Sequence, residues 1–133
     1  AAKHEAQLFC EEKSVEQALR DYFTAVATCF TSKDTPAGCF MINTSATLAA
    51  SSREIANTVK SRHAMQEETL SAFLAQRQQR GEIPAHCQPQ MLAQYLSCIL
   101  QGMSISAREG ATLEKLQNIT ETTLRLWPEL LKI

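Results

Sequence analysis

The chain has 133 residues, enough for one domain built on one sizeable core. Hydrophobic residues make up 44%, charged residues 20%, and the formal net charge is -1, a balance that excludes a disordered polyelectrolyte and lacks the basic excess of modules that grip phosphates. No apolar run approaches the ~20 residues that cross a bilayer, so no membrane partner is expected.

The chain opens Ala1-Ala2-Lys3, with no Met and no signal pattern, and reads as a fragment or processed form. Its five cysteines, Cys10, Cys29, Cys39, Cys87 and Cys98, are odd in number and irregularly spaced. They suit reduced thiols in the cytoplasm better than a disulfide framework. None shows zinc-ligand spacing, and His86-Cys87 reads as a structural or surface pair. No metal or cofactor is expected.

Gly and Pro are sparse and divide the chain into helices, so the fold class is all-α. Ser14-Val15-Glu16-Gln17 forms a capping box for a helix to about Thr31, whose apolar face holds Val15, Leu19, Tyr22, Phe23, Val26 and Phe30. A turn over 33–38 leads to a short segment, 39–50, apolar all round and therefore central. Ser51-Ser52-Arg53-Glu54 caps a long helix that stops near Arg80, before Gly81. After a loop, Pro89 opens a helix to about Arg108, with a narrow polar stripe of Gln90, Gln94, Ser97, Gln101, Ser104 and Arg108. The rest of its circumference is apolar, more than one core face needs. Thr112 caps a last helix, which Pro128 is expected to end or bend. It buries Leu113, Leu116, Ile119, Thr120, Thr123, Leu124, Leu126 and Trp127 and pairs with its predecessor as a hairpin.

Three stretches carry a family resemblance. Pro36-Ala37-Gly38-Cys39-Phe40-Met41-Ile42-Asn43 resembles the Gly-Cys-apolar start of a central helix. Arg80-Gly81-Glu82-Ile83-Pro84 resembles the turn after a long helix. Leu100-Gln101-Gly102-Met103-Ser104-Ile105-Ser106-Ala107-Arg108-Glu109-Gly110-Ala111 resembles a Gln-Gly and Ala-Arg-x-Gly helix-turn. In this order, over roughly 14–127, they resemble the C-terminal regulatory domain of TetR-family transcriptional regulators. The resemblance implies one regulatory domain over 1–133, an effector cavity among the helices, and a homodimer through a four-helix bundle of the last two helices of each subunit. It also implies a helix-turn-helix domain N-terminal to these residues in the intact protein. Operator DNA is thus an expected partner only through that domain.

The candidate ligand-binding residues are Arg62, His63 and Gln66 on the long helix and Asn43 on the central one, with Phe23, Phe30, Met41 and Met65 as walls. A few polar groups converging on apolar walls suit a small, mostly apolar effector, although each wall residue also reads as plain core. Cys39 follows Gly38 at a helix N-terminus, where the dipole favours a thiolate, and Arg108 is its candidate cationic partner. That pair gives an alternative redox or electrophile sensor; a dimerising module without ligand is a third reading. The expected dimer interface comprises Cys98, Gly102, Ile105, Leu116, Ile119, Thr123 and Trp127. Gly102 lies inside a helix, at a cost of about 1 kcal/mol relative to Ala, and close approach of another helix would account for it. No catalytic residues are expected: there is no phosphate loop, HExxH, nucleophile elbow or facing pair of Glu-x-x-His motifs.

Overall fold

The computed structural model describes residues 2–32 and 52–133, and within them the protein is all-α. After one helical turn, α1 (Ala2–Glu5), come α2 (Val15–Phe30), α3 (Ser52–Gln79), α4 (Pro89–Arg108) and α5 (Leu113–Leu130). The segment 39–50, expected to be a central helix, lies outside the described residues.

The local signals act as their chemistry dictates. Ser14 Oγ accepts the Gln17 N–H and Thr112 Oγ1 accepts the Lys115 N–H, each satisfying a backbone donor of a first turn. Pro89 occupies the first turn of α4, where its missing N–H costs nothing. Gly81 and Gly110 adopt φ of 82° and 96° just past α3 and α4, the left-handed conformation that closes a helix. Pro128 does not end α5, which runs on to Leu130. In the last turn a proline removes one hydrogen bond, and Leu130 and Leu131 pack against the core beyond it.

Helix α4 packs most extensively along α3, while α2 lies against α5 and α4. The shared core contains Leu19, Phe23, Phe30, Leu70, Phe73, Leu74, Leu96, Leu100, Met103, Leu116 and Trp127. Thr120 and Thr123 enter it because each hydroxyl donates to the carbonyl four residues earlier, at 3.1 and 2.9 Å. Leu126, expected inside, is 44% exposed. On the rim, Arg20 of α2 grips Glu121 of α5 with two hydrogen bonds of 2.9 and 3.3 Å.

Two arginines fasten the N-terminal segment to the far end of α3. Arg77, 1% exposed, donates to the carbonyls of Lys13 at 2.6 Å and Cys10 at 2.9 Å, pairs with Glu82 at 3.0 Å, and lies over the Phe73 ring at 5.2 Å. Arg80 donates to the Glu11 carbonyl at 3.1 Å and meets the other Glu82 oxygen at 2.9 Å. Three carbonyls, two of them part-buried, are thus answered by two guanidinium groups, with Glu82 balancing the charge. The loop after α3 is pinned in turn to the end of α5: the Leu131 carbonyl accepts from Cys87 Sγ at 3.2 Å, and His86 Nε2 lies 2.9 Å from it. His86-Cys87 is therefore a structural clasp.

Replacing Arg77, itself 1% exposed, by Ala strands the part-buried Lys13 and Cys10 carbonyls and empties the place its side chain fills beside Phe73. A loss of about 3 kcal/mol in urea unfolding is expected, whereas Arg80→Ala, whose side chain is part-exposed, should cost under about 1 kcal/mol.

Candidate functional site

Between α2, α3 and α4 a polar cluster interrupts the apolar packing. Gln66 Nε2 donates to the Tyr22 hydroxyl at 3.4 Å, Ser97 Oγ donates to Gln66 Oε1 at 3.5 Å, and Gln101 Nε2 donates to Ser97 Oγ at 3.4 Å. All three distances are well beyond the ~2.8–3.0 Å of well-made bonds, so the cluster is satisfied but slack. Burial pushes the Tyr22 phenol pKa up, against a lowering by the Gln66 hydrogen bond, and the hydroxyl keeps its proton. Arg62 and His63 lie half-buried about one turn before Gln66. Burial holds the His63 pKa below the usual histidine range, and the Arg108 charge from α4 lowers it further. Among the described residues no three His, Cys, Asp or Glu side chains cluster so as to hold a metal ion.

A second feature is an open groove of about 510 Å3, lined by Thr28, Phe30, Thr31 and Ser32 at the end of α2 and by Ala107, Gly110, Ala111, Thr112 and Leu113 around the α4–α5 turn.

The third is the outer face of α4. Met91, Tyr95, Cys98, Gly102 and Ile105 are all exposed and recur at spacings of four, three, four and three, one continuous stripe. A Cβ built on Gly102 meets nothing within 4 Å among the described residues, so none of the described helices approaches there.

Residues 15–123 match the family model described as the tetracyclin repressor-like C-terminal domain. The chain belongs to this TetR-type domain family. It is 74% identical over 132 residues to the HTH-type transcriptional repressor ComR of Escherichia coli (strain K12); the match covers 99% of the chain but only 63% of that repressor's length. Two solved structures of the TetR family regulator CifR, both cysteine mutants complexed with a 26-bp operator DNA, share the fold. One aligns with a TM-score of 0.77 at 18% identity, over 96% of this chain and 66% of that one. The other gives 0.76 at 16%, over 93% and 64%. The relatives named here are transcription regulators, not enzymes.

Against this domain frame the expected site residues separate. Gln66 is held in the polar cluster, with Arg62 and His63 on the adjoining turn. Phe23 is buried core, and Phe30, also buried, borders the open groove. Met41, Asn43 and Cys39 lie outside the described residues. Met65 is a correction: it is 61% exposed and no wall between the described helices, because the buried face of α3 turns away from it. Arg108 is exposed and faces His63 through its charge. On the expected interface Cys98, Gly102 and Ile105 are free to touch a second molecule, and Ile119 is partly buried. Leu116, Thr123 and Trp127 are corrected: they are buried in the chain's own core, Leu116 and Trp127 almost completely, and have little area to give a partner.

The polar stripe expected on α4 is also split. Gln90, Gln94 and Arg108 are exposed, whereas Ser97 and Ser104 are buried. Sequence reading thus missed Tyr22, Ser97 and Gln101 as one cluster and Met91, Tyr95 and Leu126 as exposed apolar groups. The signal for the cluster was Tyr22 on an otherwise apolar face of α2, because a buried phenol needs a partner.

The lowered His63 pKa carries a sign. The folded state binds a proton there less readily than the unfolded chain, so stability falls as pH drops through the ordinary histidine value of 6.5. NMR titration should place the His63 midpoint below that value. Arg108→Ala should raise it, and His63→Gln should reduce the acid sensitivity of unfolding around pH 6.

Proposed function

We propose that this chain is the effector-binding and dimerisation domain of a TetR-type transcriptional repressor, acting in the cytoplasm, where its operator lies. In this reading two copies dock through the outer face of α4 and the exposed side of α5, and a helix-turn-helix domain in the intact protein reads operator DNA. A small, mostly apolar effector enters among α2, α3 and α4 and shifts the balance between two arrangements of the dimer.

The observation that carries this reading is α4. One of its faces is filled by its own subunit, and the opposite face shows Met91, Tyr95, Cys98, Gly102 and Ile105 to solvent. Burying a contiguous apolar stripe is favourable, and a stripe with a glycine inside it allows close approach of a helix backbone. The likeness to ComR and to the operator-bound CifR chains supports the DNA-linked role of the whole protein.

Light scattering at micromolar concentration should give twice the 14.8 kDa chain mass. Gly102→Leu, which has room in the isolated subunit, should weaken association at least about tenfold without loss of helicity. A monomer mass for the natural sequence contradicts the dimer. These residues alone should not retard DNA at physiological salt, since a net charge of -1 gives no phosphate grip; tight, sequence-specific retardation would contradict the division of labour.

A further inference from the structure

Helix α5 carries charges in an order that its own fold does not explain. Its outward face holds Lys115, Ile119, Thr122, Leu126 and Glu129, at spacings of four, three, four and three; Ile119 is partly buried and the others are exposed. The outer stripe of α4 has the same spacing, the rhythm of helices that pack along one another at a shallow angle. Lys115 stands in the first turn of α5 and Glu129 in the last. A helix favours the reverse, anions at its N-terminus and cations at its C-terminus. Glu114, beside Lys115, follows that rule. Among the described residues Lys115 makes no ion pair. Glu129 meets Lys132 at 3.1 Å, an exposed pair of a kind that contributes little. The two charges are thus poorly placed for their own helix. They are well placed for a copy of it: Lys115 lies seven residues before Thr122 and Glu129 seven after, so the face is complementary to itself when turned end for end.

We infer that α5 docks antiparallel on α5 of a second copy, centred at Thr122, with Lys115 against the partner's Glu129 and Glu129 against the partner's Lys115. This rests on the dimer reading above and adds to it the register and the groups that select it. A parallel pairing would set Lys115 against Lys115 and Glu129 against Glu129. The antiparallel one also lays the positive end of each helix beside the negative end of the other. At the crossing Thr122 is small, and its hydroxyl donates to the Asn118 carbonyl at 2.9 Å, so it demands nothing of the partner. Ile119 and Leu126 on either side supply apolar area to bury. Glu121 does not compete for the partner's lysine, because Arg20 of α2 holds it at 2.9 and 3.3 Å. A two-fold axis makes each ion pair twice, and charges at the edges of such a seam choose partner and orientation.

The test reverses each charge. Lys115→Glu and Glu129→Lys both place the new charge where the helix dipole favours it, so circular dichroism should show helicity retained. Each variant alone sets two like pairs across the axis and is expected to self-associate at least about tenfold more weakly than the natural sequence, read by sedimentation. The double variant restores both pairs and should return to the natural affinity. An equimolar mixture of the two single variants, one of them isotope-labelled, should form mostly mixed dimers by native mass spectrometry, because each chain then offers what the other lacks. Natural affinity in both single variants, or mixed dimers in merely statistical proportion, overturns this register and leaves the dimer reading standing. A double variant as weak as the single ones overturns it likewise. A monomer mass for the natural sequence removes the dimer and this pairing together.

Discussion

Helix α4 is apolar on two faces, and its own chain fills only one of them. Its inner face, Leu92, Ala93, Leu96, Ser97, Leu100, Met103, Ser104 and Ala107, closes the subunit core against α3, α2 and α5. Its outer face carries an apolar stripe that the subunit leaves uncovered. A helix of this kind is stable in its own fold and leaves apolar surface in water, and in the proposed reading association with a second copy covers it. The arrangement of the other helices follows. Helix α3 must run alongside α4 without covering the stripe, and α5 must cross α2 so that Trp127 and Leu116 seal the core from the other side.

The two ends of α3 differ in how firmly they are held. From Leu70 onward it buries Leu70, Phe73, Leu74 and Arg77, and the arginines near its end hold the 10–13 segment by backbone carbonyls. Toward the other end, Arg62, His63 and Gln66 are only half-buried, and the bonds made by Gln66 are long. In the proposed reading the anchored end holds its position while the slack end adapts to a ligand. Ser97 joins the slack cluster to Gln101, close along α4 to Cys98 and Gly102 of the stripe. The interior cluster and the exposed apolar stripe are therefore in physical contact through one helix.

Much of the fold was legible because helix signals are local. The Ser14 and Thr112 caps, Pro89 and the closing glycines 81 and 110 set element ends within a residue or two. At Pro128, where the sequence left an end or a bend open, Leu130 and Leu131 packing carries α5 onward. The facing of α4 and α5 was less legible. Serine reads as polar, yet Ser97 is buried because Gln66 accepts its hydrogen. Side-chain type alone does not reveal such a partner. Leu116 and Trp127 read equally well as interface or core, since periodicity reports an apolar face and not what covers it. Arg77 was invisible for the converse reason: its partners are backbone carbonyls 64 and 67 positions away in sequence.

The central claim is that a second copy covers the outer face of α4, and the thiol of Cys98 lies in the middle of that face, exposed in the single subunit. Its rate of alkylation by iodoacetamide, read by peptide mass spectrometry at nanomolar and at high micromolar chain concentration, tests the claim residue by residue. The account predicts rapid labelling of Cys98 when dilute and strong protection when concentrated, with half-buried Cys29 unchanged between the two. Labelling of Cys98 at one rate across the whole concentration range would contradict it.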